Sequence, residues 1–240
     1  MNSPKHLARL AGVFYLMVAI TGGFSEGFVD LKMRVAGNAA ATAANVLADP
    51  GLVRLSVVSH LLDATFFMLT AMVLYFLLRH AHEGVARAML VFVVLAAGII
   101  ALNAVFQFEA LQVATNGNYT AAFGAAGSNA IVVLLLDIQH FGTLSAQVFF
   151  GLCLTPLAYL AYKSDLFPKA LSVLLVAATV CYLADVLTAF LAPDIETVIK
   201  PAVFMGAIAE GWMVLYLLVK GVRSPSTNSG ARAALVPVGA

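Results

Sequence analysis

Long unbroken apolar runs, separated by short polar breaks, fill most of this chain. Six of them cover about residues 7–29, 53–79, 88–115, 141–162, 169–191 and 201–220. Each approaches or exceeds the roughly 20 residues a helix needs to cross a hydrocarbon core. Polar and apolar positions do not alternate within them, so the pattern predicts helices and not barrel strands. Asp30, Lys32 and Arg34 read as a polar loop after the first run. In GNAAATAANVLADPG, Asn38 can cap a short Ala-rich helix and Asp49-Pro50-Gly51 can stop it. That helix is too weakly apolar to span and is expected at the outer interface. HAHEGVAR reads as a basic hinge, Asn116–Ser128 as a polar loop, KSDLFPK as a tight turn and PDIETVIKP as the last loop. The stretch IVVLLLDIQH, residues 131–140, reads as interfacial and leads into the fourth span from about Phe141. Residues 224–240 are small and polar, and predict a disordered cytoplasmic tail.

The first run begins with Lys5, His6 and Arg9, as a signal peptide would. It continues to Val29, beyond the roughly 7–15 residues of a signal core, and ends without a small-x-small cleavage site. It is therefore expected to be the first membrane helix.

Composition narrows the class. Of 240 residues, 62% are hydrophobic and 10% charged, with a mean hydropathy of +0.97. A water-soluble fold cannot cover that much apolar side chain, whereas lipid can solvate it. The expected fold is an all-α polytopic bundle of six transmembrane helices with both termini inside. With the N-terminus inside, nine Lys and Arg fall on the inner side and four on the outer, Lys32, Arg34, Arg54 and Lys200. A net charge of +1 without a basic stripe excludes nucleic acid as a partner. The bilayer, a small ligand or ion, and another membrane protein are the partners left. Cys153 and Cys181 lie in apolar runs without C-x-x-C spacing and are expected to be small buried residues.

Polar residues inside the runs carry the candidate chemistry. An ionisable group at bilayer depth costs about 2.5–3.5 kcal/mol on insertion scales, so it faces other helices or a wet cavity. Ser56, Ser59, His60, Asp63 and Thr70 follow helical spacing and share one face. So do Asn103 and Gln107; Asp137, His140 and Gln147; and Thr179, Tyr182, Asp185 and Thr188. Allowing for alternating helix direction, Glu26, His60, Asp63, Asn103, Gln107, Glu109, Asp137, His140 and Asp185 gather in the outer half, with Glu210 near the middle. This asymmetry predicts one polar chamber near the outer surface. Carboxylates without intramembrane Lys or Arg must keep protons or take up a cation. The alternative for each residue is gluing of helices, worth about 0.6 kcal/mol per contact. No cofactor is predicted. A divalent metal would have to draw on His60, Asp63, Asp137 and His140, and H-x-x-D and D-x-x-H are not the H-E-x-x-H of zinc proteases. Gly23 and Gly27 form a G-x-x-x-G expected at a helix contact, Trp212 is expected to pack, and Pro156 to kink its helix.

The pieces ARLAGVFYLMVAITGGFSEGFV, AAATAANVLA, the LD-x-x-H ending at His140 with Gly142 after it, and the Y-x-x-D ending at Asp185 resemble the bacterial membrane family called domain of unknown function 4386. The likeness covers about residues 7–221. It implies a six-helix protein of the bacterial inner membrane and implies no activity. Three readings remain open. The first is binding or movement of a small cation, proton or amphiphile at the outer-half chamber. The second is a membrane-embedded, metal-dependent enzyme acting on a lipid-like substrate, with Asp185 or Glu210 as base. No nucleophile or metal motif supports it. The third is an accessory or sensory subunit.

Overall fold

The computed structural model describes residues 3–195 and 200–223, and no strand occurs among them. The tail at 224–240 and part of the last loop, 196–199, lie outside the described residues. Among the described residues seven helices occur in order: α1 (Pro4–Met33), α2 (Ala39–Ala48), α3 (Pro50–Leu78), α4 (Glu83–Thr115), α5 (Gly117–Lys163), α6 (Lys169–Leu191) and α7 (Val203–Val219). Their starts obey local chemistry. Pro4 and Pro50 occupy first-turn positions, where the missing N–H costs nothing. The side chains of Asn38 and Asp49 accept hydrogen bonds from Ala41 N and Leu52 N, both at 2.9 Å. At the α6 entry Lys169 bonds Asp165 at 2.6 Å and holds its carboxyl below the usual carboxylate range.

The long helices close a ring in chain order: α1 packs on α3, α3 on α4, α4 on α5, α5 on α6, α6 on α7, and α7 returns to α1. At that last seam Gly12 lets the backbones approach, since a Cβ there would lie 3.0 Å from Leu217 Cβ and from Leu218 N. The short α2 covers one end against α4 and α5 with Thr42, Ala43 and Val46 buried. The outside of the ring is apolar: Leu55, Val58, Leu62, Val91, Leu95, Val173 and Val180 are exposed. The inside carries polar groups. In water this distribution would be inverted, and lipid accounts for it. Five helices, α1 and α3–α6, are long and apolar enough to cross a membrane; α7 has 17 residues.

The interior is layered. One apolar cluster, from Ala8 and Leu78 to Met213 and Val222, fills the end that holds the N-terminus and the Lys163–Lys169 turn. A second, with Val29, Met33, Val46, Val53, Leu111 and Leu136, lies beneath α2. Between them the inward positions are polar: Thr21 and Ser25 on α1, Ser56 to Asp63 on α3, Asn103 and Gln107 on α4, and Gln139 on α5.

Several expectations change. Asp30 and Lys32 are not in a loop, because α1 continues through a π-helical turn at Ser25–Asp30 and ends at Met33. Of the region read as a loop and an interfacial stretch, 116–140, residues 117–140 are helical apart from a break at Gly124 (φ 71°, ψ 169°), inside the expected loop. Past that break, residues 131–140 run without interruption into the helical stretch after them. Gly23 and Gly27 are not at a contact, since nothing lies within 4 Å of a Cβ at either. Glycine instead serves at Gly142 and Gly206, where a Cβ would come within 2.3 Å of Asn103 and Tyr182. Trp212 does not pack in the core but is 38% exposed on the ring exterior. Cys153 is buried, as expected, and Cys181 is half-buried.

Gly142→Ala and Gly206→Ala should each destabilise the protein by about 1–3 kcal/mol through overpacking. Gly23→Ala and Gly27→Ala should leave the unfolding midpoint nearly unchanged. Thermal unfolding in mild detergent checks both, and equal effects at the four positions would contradict the packing.

Candidate functional site

The polar layer is organised around a residue that the sequence pattern assigned to a loop. A π turn holds one more residue than an α turn and so changes the angular register of the residues after it. Along Ser25–Asp30, both Ser25 and Val29 are buried and Asp30 is brought to the interior. Ser25 Oγ donates to Thr21 O at 2.9 Å within the same helix. Gln107 Nε2 on α4 donates to Asp30 Oδ1 at 2.7 Å. Gln139 Nε2 on α5 donates to Asp30 Oδ2 at 2.8 Å. His60 Nε2 on α3 lies 3.2 Å from the same Oδ2 and donates when the proton is on that nitrogen. Gln107 Nε2 also reaches Ser56 Oγ at 3.2 Å. One carboxylate thus collects side chains from three other helices. Its own side chain is 19% exposed, while that of His60 is 3% exposed.

A second carboxyl lies one helical turn from His60. Asp63 is buried at 6% exposure, and its Oδ1 is 3.4 Å from Thr21 Oγ1. Ser59 Oγ donates to Thr21 O at 3.0 Å, tying α3 to α1 beside it. Gly22 makes room, for a Cβ there would sit 3.2 Å from Asp63 Oδ1. Glu26 and Asp63 are both within electrostatic range of His60.

Further toward the N-terminal end of the bundle, Glu210 on α7 accepts from Tyr15 Oη at 2.7 Å and from Tyr182 Oη at 2.5 Å. Each oxygen of this carboxyl meets one phenol, from α1 and from α6. The Tyr182 ring passes over Gly206, one turn before Glu210, where no other side chain would fit. Asp63 and Glu210 are in electrostatic range of each other. Nearby, Gln147 Nε2 donates to Asp185 Oδ2 at 2.8 Å. Asp30, Asp63 and Glu210 therefore descend through the ring interior, with His60 between the first two, and Asp185 stands one turn along α6 from Tyr182, the partner of the third. Among the described residues, no Lys or Arg forms an ion pair with Glu26, Asp30, Asp63, Asp185 or Glu210.

Other candidates stand apart. Asp137 pairs with Arg34 at 2.5 Å, and both side chains are about one-third exposed (33% and 36%). The expectation of carboxylates without basic partners therefore fails at Asp137: Arg34, at the end of α1, reaches back over the bundle end. Glu109 is exposed and does not line the interior. His140 is half-buried, with its ring edge-on to Phe141 at 5.3 Å. The inward position on that turn of α5 is Gln139, which continues the buried series Val132 and Leu136 at helical spacing. Gln139, Asp30 and Tyr15 are residues that sequence reasoning missed. The 4–3 spacing of Val132, Leu136 and Gln139 carried the signal for the first. Nothing in the sequence announces the π turn that delivers the second. Among the described residues, no group of three or more His, Cys, Asp or Glu side chains is arranged to hold a metal ion.

Beside this column, a groove of about 220 Å³ opens between α1 and α3 on the outside of the ring. Ile20, Phe24, Leu55, Val58 and Leu62 line it, with Thr21 and Ser59 among its walls.

No curated protein and no solved structure matches the chain. The family described as Domain of unknown function (DUF4386) matches residues 10–221, a span that contains every carboxyl of the interior column, and the chain belongs to that family.

Proposed function

We propose that this chain is a six-span inner-membrane protein, both termini inside, that binds or moves a proton or small cation along its interior column of carboxyls. The observation that carries this reading is the setting of Asp30. It is a carboxylate held by neutral or single-proton donors from three helices, with further carboxyls below it and, among the described residues, no Lys or Arg paired to any of them. Helix gluing needs polar contacts but does not need a line of acids. In low dielectric such groups stay neutral or take a positive partner, and a mobile cation or proton is that partner. The sixth span is supported by length. The 17 residues of α7 rise about 25 Å. The 3₁₀ turn Lys200–Ala202 before it adds roughly 6 Å, which together match a core of about 30 Å. A second reading, a small amphiphile, is favoured by the groove between α1 and α3, whose walls are apolar apart from Thr21 and Ser59. A membrane enzyme and an accessory subunit lack a comparable observation.

Two experiments test this reading. A reporter active only in the cytoplasm should work when fused after Lys163 and fail when fused after Gly37; the reverse result would overturn the orientation. In liposomes with an enclosed pH- or ion-sensitive dye, the reconstituted protein should dissipate an imposed gradient. Asp30→Asn and Asp63→Asn should each slow that flux about tenfold or more, given the roughly 1.5–3 kcal/mol worth of hydrogen bonds to charged groups. Flux unchanged in both variants would sink the column as a pathway.

A further inference from the structure

Behind the groove between α1 and α3 stands a carboxyl that lacks a hydrogen-bond donor. Ile20, Leu55, Val58 and Leu62 form the exposed rim of this groove, while Thr21 and Ser59, 6% and 7% exposed, form its floor. Each floor hydroxyl has one hydrogen and directs it to backbone. Thr21 Oγ1 donates to Met17 O at 2.7 Å, and Ser59 Oγ donates to Thr21 O at 3.0 Å. Both hydroxyls are left with acceptor lone pairs. Asp63 follows Leu62 in the chain, and its Oδ1 lies 3.4 Å from Thr21 Oγ1. With the Thr21 hydrogen committed to Met17, that contact brings the carboxyl no donor. Among the described residues no other hydrogen bond reaches Asp63, and no Lys or Arg pairs with it. Asp30 differs, with donors on both of its oxygens.

A carboxylate and two hydroxyls that can only accept call for a ligand that only donates. A primary ammonium has three N–H donors and no acceptor, whereas an alcohol or an amide brings acceptors of its own. Oδ1 and Oγ1 are close enough for one nitrogen to bond both. Gly22 leaves the space beside Oδ1 free of a side chain, since a Cβ there would lie 3.2 Å away. A charged amine is costly in hydrocarbon, and a neutral one is not. The pair can therefore form from neutral partners: the amine takes the proton of the buried acid, an N–H bond forms, the Asp63 O–H bond breaks, and the product carries no net charge.

We propose that the groove between α1 and α3 admits amphiphiles bearing a primary amine from the outer half of the bilayer, with the alkyl chain against Leu55, Val58 and Leu62 and the nitrogen on Asp63, Thr21 and Ser59. This names the chemical class for the amphiphile reading given above and rests on it. Lipid solvates an alkyl chain as well as the groove does, so the chain guides the ligand and the donor pattern selects it. Glu26, His60 and Glu210 are the other ionisable groups in electrostatic range of Asp63. Two acids against one imidazole keep the surroundings favourable to a cation.

The test is photolabelling of the full chain in phosphatidylcholine nanodiscs. The probe is decylamine with a diazirine in its chain, and the control is the matching decanol. Mass spectrometry should find amine adducts within residues 20–24 and 55–62. Excess decylamine should reduce them about tenfold or more, the effect expected of one hydrogen bond to a charged group. Decanol and decyltrimethylammonium, which lack the N–H donors, should not. Asp63→Asn should lower the adducts by a similar factor. Leu55→Trp, a lipid-facing change that fills the groove, should do the same with a nearly unchanged unfolding midpoint, which separates lost binding from lost folding. Adducts spread over the whole exterior would overturn the groove site, as would labelling that survives Asp63→Asn. Displacement by decyltrimethylammonium would overturn the proton transfer. Equal labelling of the groove by the amine and alcohol probes would leave the amphiphile reading standing and overturn the amine. If the amine shows no preference while Asp63-dependent flux persists, the column stands and only the amine site falls.

Discussion

A carboxylate inside a membrane bundle must be surrounded by donors or by positive charge, since water cannot solvate it there. Asp30 meets that requirement through Gln107, Gln139 and His60. Because those partners sit on α4, α5 and α3, satisfying one charge fixes four helices in relative height and rotation. Hydrophobic burial cannot supply that register, because lipid tails solvate Leu and Val as well as another helix does. The apolar clusters above and below the polar layer give close packing. The polar layer decides which packing.

Small residues let the polar side chains reach one another. Gly22 stands beside Asp63, Gly142 beside Asn103, and Gly206 beside the ring of Tyr182. In each case the space left by an absent Cβ on one helix is filled by a polar or amphipathic side chain from its neighbour. These notches join adjacent helices around the ring: α1 to α3, α4 to α5, and α6 to α7. Glycines without such a partner, Gly23 and Gly27, face outward. In this protein the value of a glycine is set by what enters its notch and not by its spacing from another glycine.

Much of this was readable in the chain. Unbroken hydropathy gave the long helices within a few residues except for the start of α5, and helical spacing placed Ser56, Ser59, His60, Asp63 and Thr70 on a buried face. The Asn38 cap and the Asp49-Pro50 start were local chemistry and appear as such. What failed depended on reading polarity as position. Asp30 lies near Lys32 and Arg34, and three charged residues close together resemble a loop; the helix nonetheless continues, because its own hydrogen bonds do not depend on side-chain polarity. The same reasoning left Asp137 without a basic partner, although Arg34 pairs with it at the bundle end. Tyr15 and Tyr182 as partners of Glu210 depend on contacts 195 and 28 residues apart, which no local pattern encodes.

The π turn at Ser25–Asp30 has a consequence for how the site is inherited. A helix that is wound wider over one turn carries, in effect, one residue more than the regular helix would need there. Winding that stretch as a regular α-helix without removing a residue would rotate Asp30 by close to one residue step, about 100°, relative to the residues before it. Every hydrophobic residue of α1 could remain, and the protein could still span the membrane, yet the carboxylate would leave its three partners. The winding of this short segment is therefore as much a part of the site as the side chains that line it.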